Sequence, residues 1–285
     1  METLEPADWT LRRSAHETRV DAWVQPHLAR RRAHEAHPVE DFLFAYYSHR
    51  PAALRRWHPG HGVGLRDAPG HAALPGYVDR AGVSTVADDL VVARRPLLEA
   101  LRTLLAATAS RPPQLACFGL HEWAMVYRQP AAEVRHSAWS LRLGAAGTDE
   151  VVESHRIGCS HFDAFRFFTE PARALNALQP ASHDRPDFEQ PGCLHAGMDL
   201  YKHAYRLVPL IGSELVADCF ELAREIRVLD MRASPYDLSG LGYPPVPIET
   251  PAGRAEYVAA QRSLSQRGAP LRSRLVAECE RLLAL

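Results

Sequence analysis

Lysine is almost missing from this chain: of 33 basic residues, Lys202 is the single lysine and the rest are arginine. An ammonium can lose its proton and a guanidinium cannot, which makes Lys202 a candidate acid, base or substrate clamp. Charge of one sign is missing too. A net charge of −1 argues against a chain built to grip a phosphate backbone, because that binding needs clustered positive charge. The groups Arg30, Arg31, Arg32 and Arg50, Arg55, Arg56 are the best local candidates for such a groove. No apolar run approaches the roughly 18 to 20 residues of a membrane-spanning helix. The opening METLEPADWTLRR has no apolar secretion segment, so the expected location is the cytoplasm, with no membrane partner. The five cysteines, Cys117, Cys159, Cys193, Cys219 and Cys279, form no C-x-x-C pair and read as reduced thiols, which disfavours finger-type zinc. Phosphate-loop, dinucleotide-fold, zincin and serine-elbow motifs are all absent, so no nucleotide cofactor is expected.

What is present is apolar residue content, 46%, ample for a core, and helical punctuation. Segments 8–32 and 37–50, the run Pro96–Ala109, the apolar LACFGLHEWAMVY, the SHFDAFRFF segment and a helix from about Leu194 to Leu207 read as helices. Ser213 begins a long helix, and Thr250 with Pro251 begins another that Pro270 is expected to divide from a last one. The expected fold is all-α with little or no sheet, a single helical domain over residues 1–285, with a Gly/Pro loop at about 59–82 and a Pro-rich strap at about 243–251.

Three segments can carry chemistry. His121 and Glu122 sit in an otherwise apolar stretch and must be paired, protonated or metal-bound to be buried there. On the second, His195, Asp199, Lys202, His203 and Arg206 fall within an arc of about 100° at helical spacing, so His195 with Asp199, or Asp199 with His203, can jointly hold a cation. In the third, Ser160 and Asp163 have capping-box spacing, and His161 falls in the first turn, where the helix dipole keeps its ring neutral. Of the 15 histidines, His58, His61, His71, His136, His155 and His183 fall in loops and most are expected on the surface. His58 and His61 flank Gly60 and are candidates to line a lid.

Across HPVEDFLFAYYSHRP, RRWHPG, CFGLHEWAMVY, CSHFDAFRFF, EQPGCLH, MDLYK, LDMRASPYDLS and PIETPAGRAEYVAAQR, from about His37 to Arg262, the chain resembles actinobacterial proteins commonly labelled 3-methyladenine DNA glycosylase. That resemblance implies a pocket for a flipped base with a carboxylate to assist its departure, which Tyr46, Tyr47, Trp123 and Glu122 can supply. Of the glycosylase hairpin only Leu74-Pro75-Gly76 matches, so no catalytic residue carries over.

The leading expectation is a helical non-haem metalloenzyme acting on a small molecule, oxidase- or oxygenase-like. His121, Glu122, His161, His195 and Asp199 are its metal ligands, iron the favoured divalent metal, and Lys202, Glu122 and His203 its catalytic groups. The alternatives are a base-excision glycosylase, with nucleic acid as partner, and a non-catalytic binding protein. The leading reading requires polar side chains near 121, 161 and 195 to point into one interior cavity.

Overall fold

Glycine and proline recur between Pro59 and Gly82, yet this stretch supplies two of the four strands of a small sheet. In the computed structural model, which describes residues 1–130 and 138–285, β1 (Glu2–Leu4), β2 (Val63–Arg66), β3 (Tyr77–Arg80) and β4 (Val83–Val86) form a mixed sheet of order β1-β2-β4-β3. β1 runs parallel to β2, with Thr3 opposite Gly64, and the other pairings are antiparallel. Ala81 and Gly82 close the β3–β4 hairpin at φ 54° and 80°, the two left-handed residues that suit a tight turn between right-twisted strands. Strands of three or four residues are too short for alternation to stand out from loop, which is why sequence reading left the region as a Gly/Pro loop.

The protein is otherwise mainly helical, with thirteen α-helices among the described residues. They are α1 (Pro6–Arg32), α2 (Phe42–Tyr46), α3 (Pro51–Arg55), α4 (Pro69–Ala72), α5 (Asp88–Ala109), α6 (Leu120–Ala124) and α7 (Gly144–Ser154). Then follow α8 (Phe162–Phe165), α9 (Glu170–Arg173), α10 (Arg185–Phe188), α11 (Leu194–Arg206), α12 (Ser213–Arg232) and α13 (Pro251–Leu283). None of them is long and apolar enough to cross a membrane.

Prolines divide fewer helices than expected. Pro26 lies inside α1, Pro96 lies inside α5, which begins at Asp88 rather than at Pro96, and Pro270 lies inside α13 rather than separating two helices. The buried positions Tyr257, Gln261, Leu264, Gly268, Arg272, Leu275, Cys279 and Leu282 continue at three- and four-residue steps across Pro270. A stripe that continuous favours one helix with a local defect over two separate ones. At its start the Thr250 hydroxyl accepts the Gly253 N–H at 3.0 Å, the expected cap.

By contact density the chain falls into two compact units. One comprises residues 1–103, 200–221 and 273–285, the other residues 104–199 and 222–272. The first holds the sheet, packed through Leu4 and Leu65 on Trp9, Trp57 and Ala68, and several buried imidazoles. His58 Nδ1 bonds the Tyr77 hydroxyl at 2.9 Å, and His71 Nε2 the Trp57 carbonyl at 3.2 Å. Both rings are buried rather than on the surface, and His61 pairs with Asp88 at 2.9 Å. His136 lies outside the described residues. The second unit is built around fully buried Leu120, Trp123 and Tyr257, with the Trp123 indole donating to the Ala233 carbonyl at 2.8 Å.

Candidate functional site

The LACFGLHEWAMVY run forms only five residues of helix, α6, and the chain enters it through a sharp bend. Phe118 and Gly119 are both left-handed, at φ 49° and 73°. Glycine takes that conformation freely, whereas for a residue with a side chain it costs roughly 1 kcal/mol or more. The bend turns Cys117 back towards α6, so its Sγ lies 3.9 Å from His121 Nδ1.

The other nitrogen of the same ring meets a carboxylate from α12: His121 Nε2 is 2.7 Å from Asp230 Oδ1, and both residues are buried. Burial alone would lower the basicity of His121. The charge of Asp230 and its hydrogen bond outweigh burial, so His121 stands well above the ordinary imidazole range. Asp230 moves the opposite way: burial would raise it, but His121 and Arg227 hold it well below the usual carboxylate range. Arg227 NH1 reaches both Asp230 Oδ2 and Glu122 Oε1 at 2.9 Å. Glu122, predicted from sequence to need a partner, therefore has one inside the core.

His195, at the start of α11, is half-buried, with its ring 4.4 Å from that of His121 and nearly perpendicular to it. Burial, then the nearby His121 and His161, hold it well below the ordinary imidazole range, so it is neutral with a lone pair to offer. His121, His195 and Asp230 could together hold a metal ion: one ligand atom from each lies within 4.8 Å of the others. Two imidazoles and a carboxylate are a chemically sound donor set for a divalent transition metal.

His161 is fully buried, its ring 5.4 Å from that of His195. Its Nε2 lies 3.3 Å from Asp199 and 3.5 Å from Glu189, and neither ring nitrogen makes a hydrogen bond among the described residues. Those carboxylates are held by Arg185, at 2.5 Å from Glu189 and 2.8 Å from Asp199. Asp163 is 3.3 Å from Arg166 and 3.9 Å from Arg185. The residue at the N-cap of α8 is His161 rather than Ser160, and it makes no side-chain cap bond.

The chain matches no protein-family model, curated protein or solved structure. A cavity of about 600 Å³ is lined by Cys117, Phe118, Gln190 and neighbouring residues. Beside it a water-sized pocket of about 10 Å³ brings Cys117, His121, Cys193 and His195 to one wall. Cys117 lines both.

Of the residues singled out from sequence, His121, Glu122, His161, His195 and Asp199 all fall in the second unit. His121 and His195 stand together, Glu122 joins them through Arg227, and Asp199 joins His161 and Arg185 instead. Lys202 and His203 belong to the first unit, as do Tyr46 and Tyr47. Cys117, Asp230 and Arg227 were missed. Cys117 had no motif. Asp230 lies 109 residues from His121, in a helix whose sequence, REIRVLDMR, looks like any charged amphipathic segment. The one available signal was arithmetic: a buried His-Glu pair needs partners of opposite charge, and Arg227 and Asp230 at helical i,i+3 spacing could supply both.

Proposed function

We propose that the protein is an enzyme acting on a small molecule by nucleophilic catalysis, with Cys117 as nucleophile, His121 as base and Asp230 as the group that orients and charges His121. One observation carries this reading. Cys117 lines the cavity, and its sulfur is 3.9 Å from one nitrogen of a histidine whose other nitrogen is 2.7 Å from a buried carboxylate. With its basicity raised by Asp230, His121 is the doubly protonated ring, its Nε2–H donating to Asp230 and its Nδ1–H facing the sulfur, so the reacting form is a Cys117 thiolate paired with an imidazolium that Asp230 stabilises. The thiolate then attacks an electrophilic carbonyl carbon, and a thioester forms as the leaving group departs with the proton from His121. Water, deprotonated by His121, attacks the thioester, releases the acid and returns the thiol. Burial raises the pKa of Cys159, Cys193 and Cys279, so those sulfurs stay protonated.

The test is alkylation by iodoacetamide at pH 7 followed by peptide mapping. Cys117 is expected to react at least about tenfold faster than Cys279, and His121→Gln and Asp230→Asn to slow it by a similar factor. A Cys117 rate equal to that of an unactivated thiol, or unchanged in both variants, would sink the reading.

A second reading is favoured by the group His121, His195 and Asp230. In it the protein is a non-haem metalloenzyme, and iron is favoured because two imidazoles and one carboxylate leave coordination positions open for oxygen or substrate. Here Arg227 and Glu122 would fix the orientation of Asp230. It predicts stoichiometric metal in the purified protein, lost in His195→Ala and kept in Cys117→Ser. Metal-free protein with a fast-reacting Cys117 decides for the nucleophile.

A further inference from the structure

Resting on the reading of Cys117 as nucleophile, the cavity's lining points to a class of substrate. We infer that it selects small molecules carrying an anionic group, recognised by Arg156. About 600 Å³ suits a small organic molecule rather than a polymer, and Ala116, Phe118, Ala177 and Leu178 give it apolar walls. Among the described residues no aspartate or glutamate lines it, and Arg156 is the formally charged side chain that does.

Of the other polar side chains, Gln114 is uncharged and exposed, and Gln190 and His155 are already committed. Gln190 Oε1 accepts the backbone N–H groups of Gln114 and Gly192, at 2.8 and 2.7 Å. His155 Nδ1 lies 2.8 Å from the Val151 carbonyl, and its Nε2 faces the Arg254 guanidinium at 3.2 Å. Both ring nitrogens of His155 are thus taken up by protein partners. Arg156, by contrast, is exposed and makes no hydrogen bond or ion pair among the described residues. A guanidinium in that state presents a fork of donors matched to a carboxylate. The substrate class is thus a small acyl compound with an apolar body and a carboxylate or similar anion. Its reacting carbonyl is delivered to Cys117 while the anion rests on Arg156.

Two probes test this without knowledge of the natural substrate. First, the alkylation rates of Cys117 by iodoacetate and by iodoacetamide are compared, each relative to free cysteine. In both reagents the Cys117 sulfur bonds the methylene carbon as iodide leaves, so they differ only in charge. The relative preference for iodoacetate is expected to fall about fivefold in Arg156→Ala and to shrink with added salt, with the iodoacetamide rate unchanged. Second, binding of benzoate and benzamide to Cys117→Ser protein is measured by ligand-observed NMR, with benzoate expected to bind more tightly and to lose that advantage in Arg156→Ala. Equal binding of the two ligands, or a preference that survives Arg156→Ala, overturns the Arg156 assignment whatever Cys117 does. A benzoate preference that depends on Arg156, found together with a slow Cys117, upholds the anion site and overturns the nucleophile instead.

Discussion

At the scale of single residues, the proposed chemistry and the packing of the buried acid–base array rest on different side chains. Arg227 is fully buried and joins Glu122 to Asp230. The relay proposed for Cys117 runs through Asp230 and His121, and Glu122 touches neither Cys117 nor His121 in it. Glu122→Gln is therefore expected to cost about 1–3 kcal/mol in urea denaturation, because it weakens a buried charged hydrogen bond, and to leave the Cys117 alkylation rate unchanged. Loss of alkylation at unchanged stability would move Glu122 into the chemistry. His121 and Glu122 are also the residues at which sequence reasoning was most informative. A histidine and a glutamate in LACFGLHEWAMVY had to be partnered if that run was buried, and both are. Who the partners were could not be read there, since Asp230 and Arg227 come from a helix more than a hundred positions further along.

At the scale of elements, periodicity served well where the element was long. Helices α11, α12 and the start of α13 follow from apolar spacing, with Ser213 and Thr250-Pro251 marking the last two starts, whereas α5 begins at Asp88, ahead of the Pro96 expected to open it. It failed where the element was short or locally strained. The four strands span three or four residues each, below the length at which alternation is legible. Likewise the LACFGLHEWAMVY run scans as one helix, yet a left-handed Phe118 and Gly119 cut it to α6. That interruption is what turns Cys117 towards His121. A bulky residue held in a left-handed conformation is tolerated because packing over-determines it, and packing is not visible in a window of thirteen residues.

At the scale of the whole molecule, the first unit carries a pH dependence of its own. Burial holds the His49 ring at a pKa of about 4 and, with His71, Arg56 and other cations nearby, the His58 ring at about 3, against 6.5 for an ordinary imidazole. Both are therefore neutral in the folded protein at pH 6, while the unfolded chain already takes up protons there. The stability they contribute is complete above pH 6.5 and is lost as pH falls through the folded values. At about 1.4 kcal/mol per pH unit for each ring, the fall between pH 6.5 and 4 is roughly 3 kcal/mol apiece. Urea midpoints measured at pH 7, 5.5 and 4.5 should decline accordingly. His49→Phe, which keeps the stacking against Tyr205 at 4.8 Å and removes the titration, should flatten the decline. A profile as steep in that variant as in the parent protein would mean that His49 is not buried neutral.

The sequence by itself determined a mainly helical chain, unpaired cysteines, and a histidine and glutamate that had to find partners in an apolar interior. These are local properties, fixed by the spacing of side chains along a few turns and by the cost of an unpaired buried charge. Tertiary structure alone decided that Asp230 meets His121, that His195 closes on the same group while Asp199 goes to Arg185, and that Cys117 borders a cavity. Such pairings join residues far apart in the chain, and no short-range pattern encodes them, because their energy is realised only once the helices have packed.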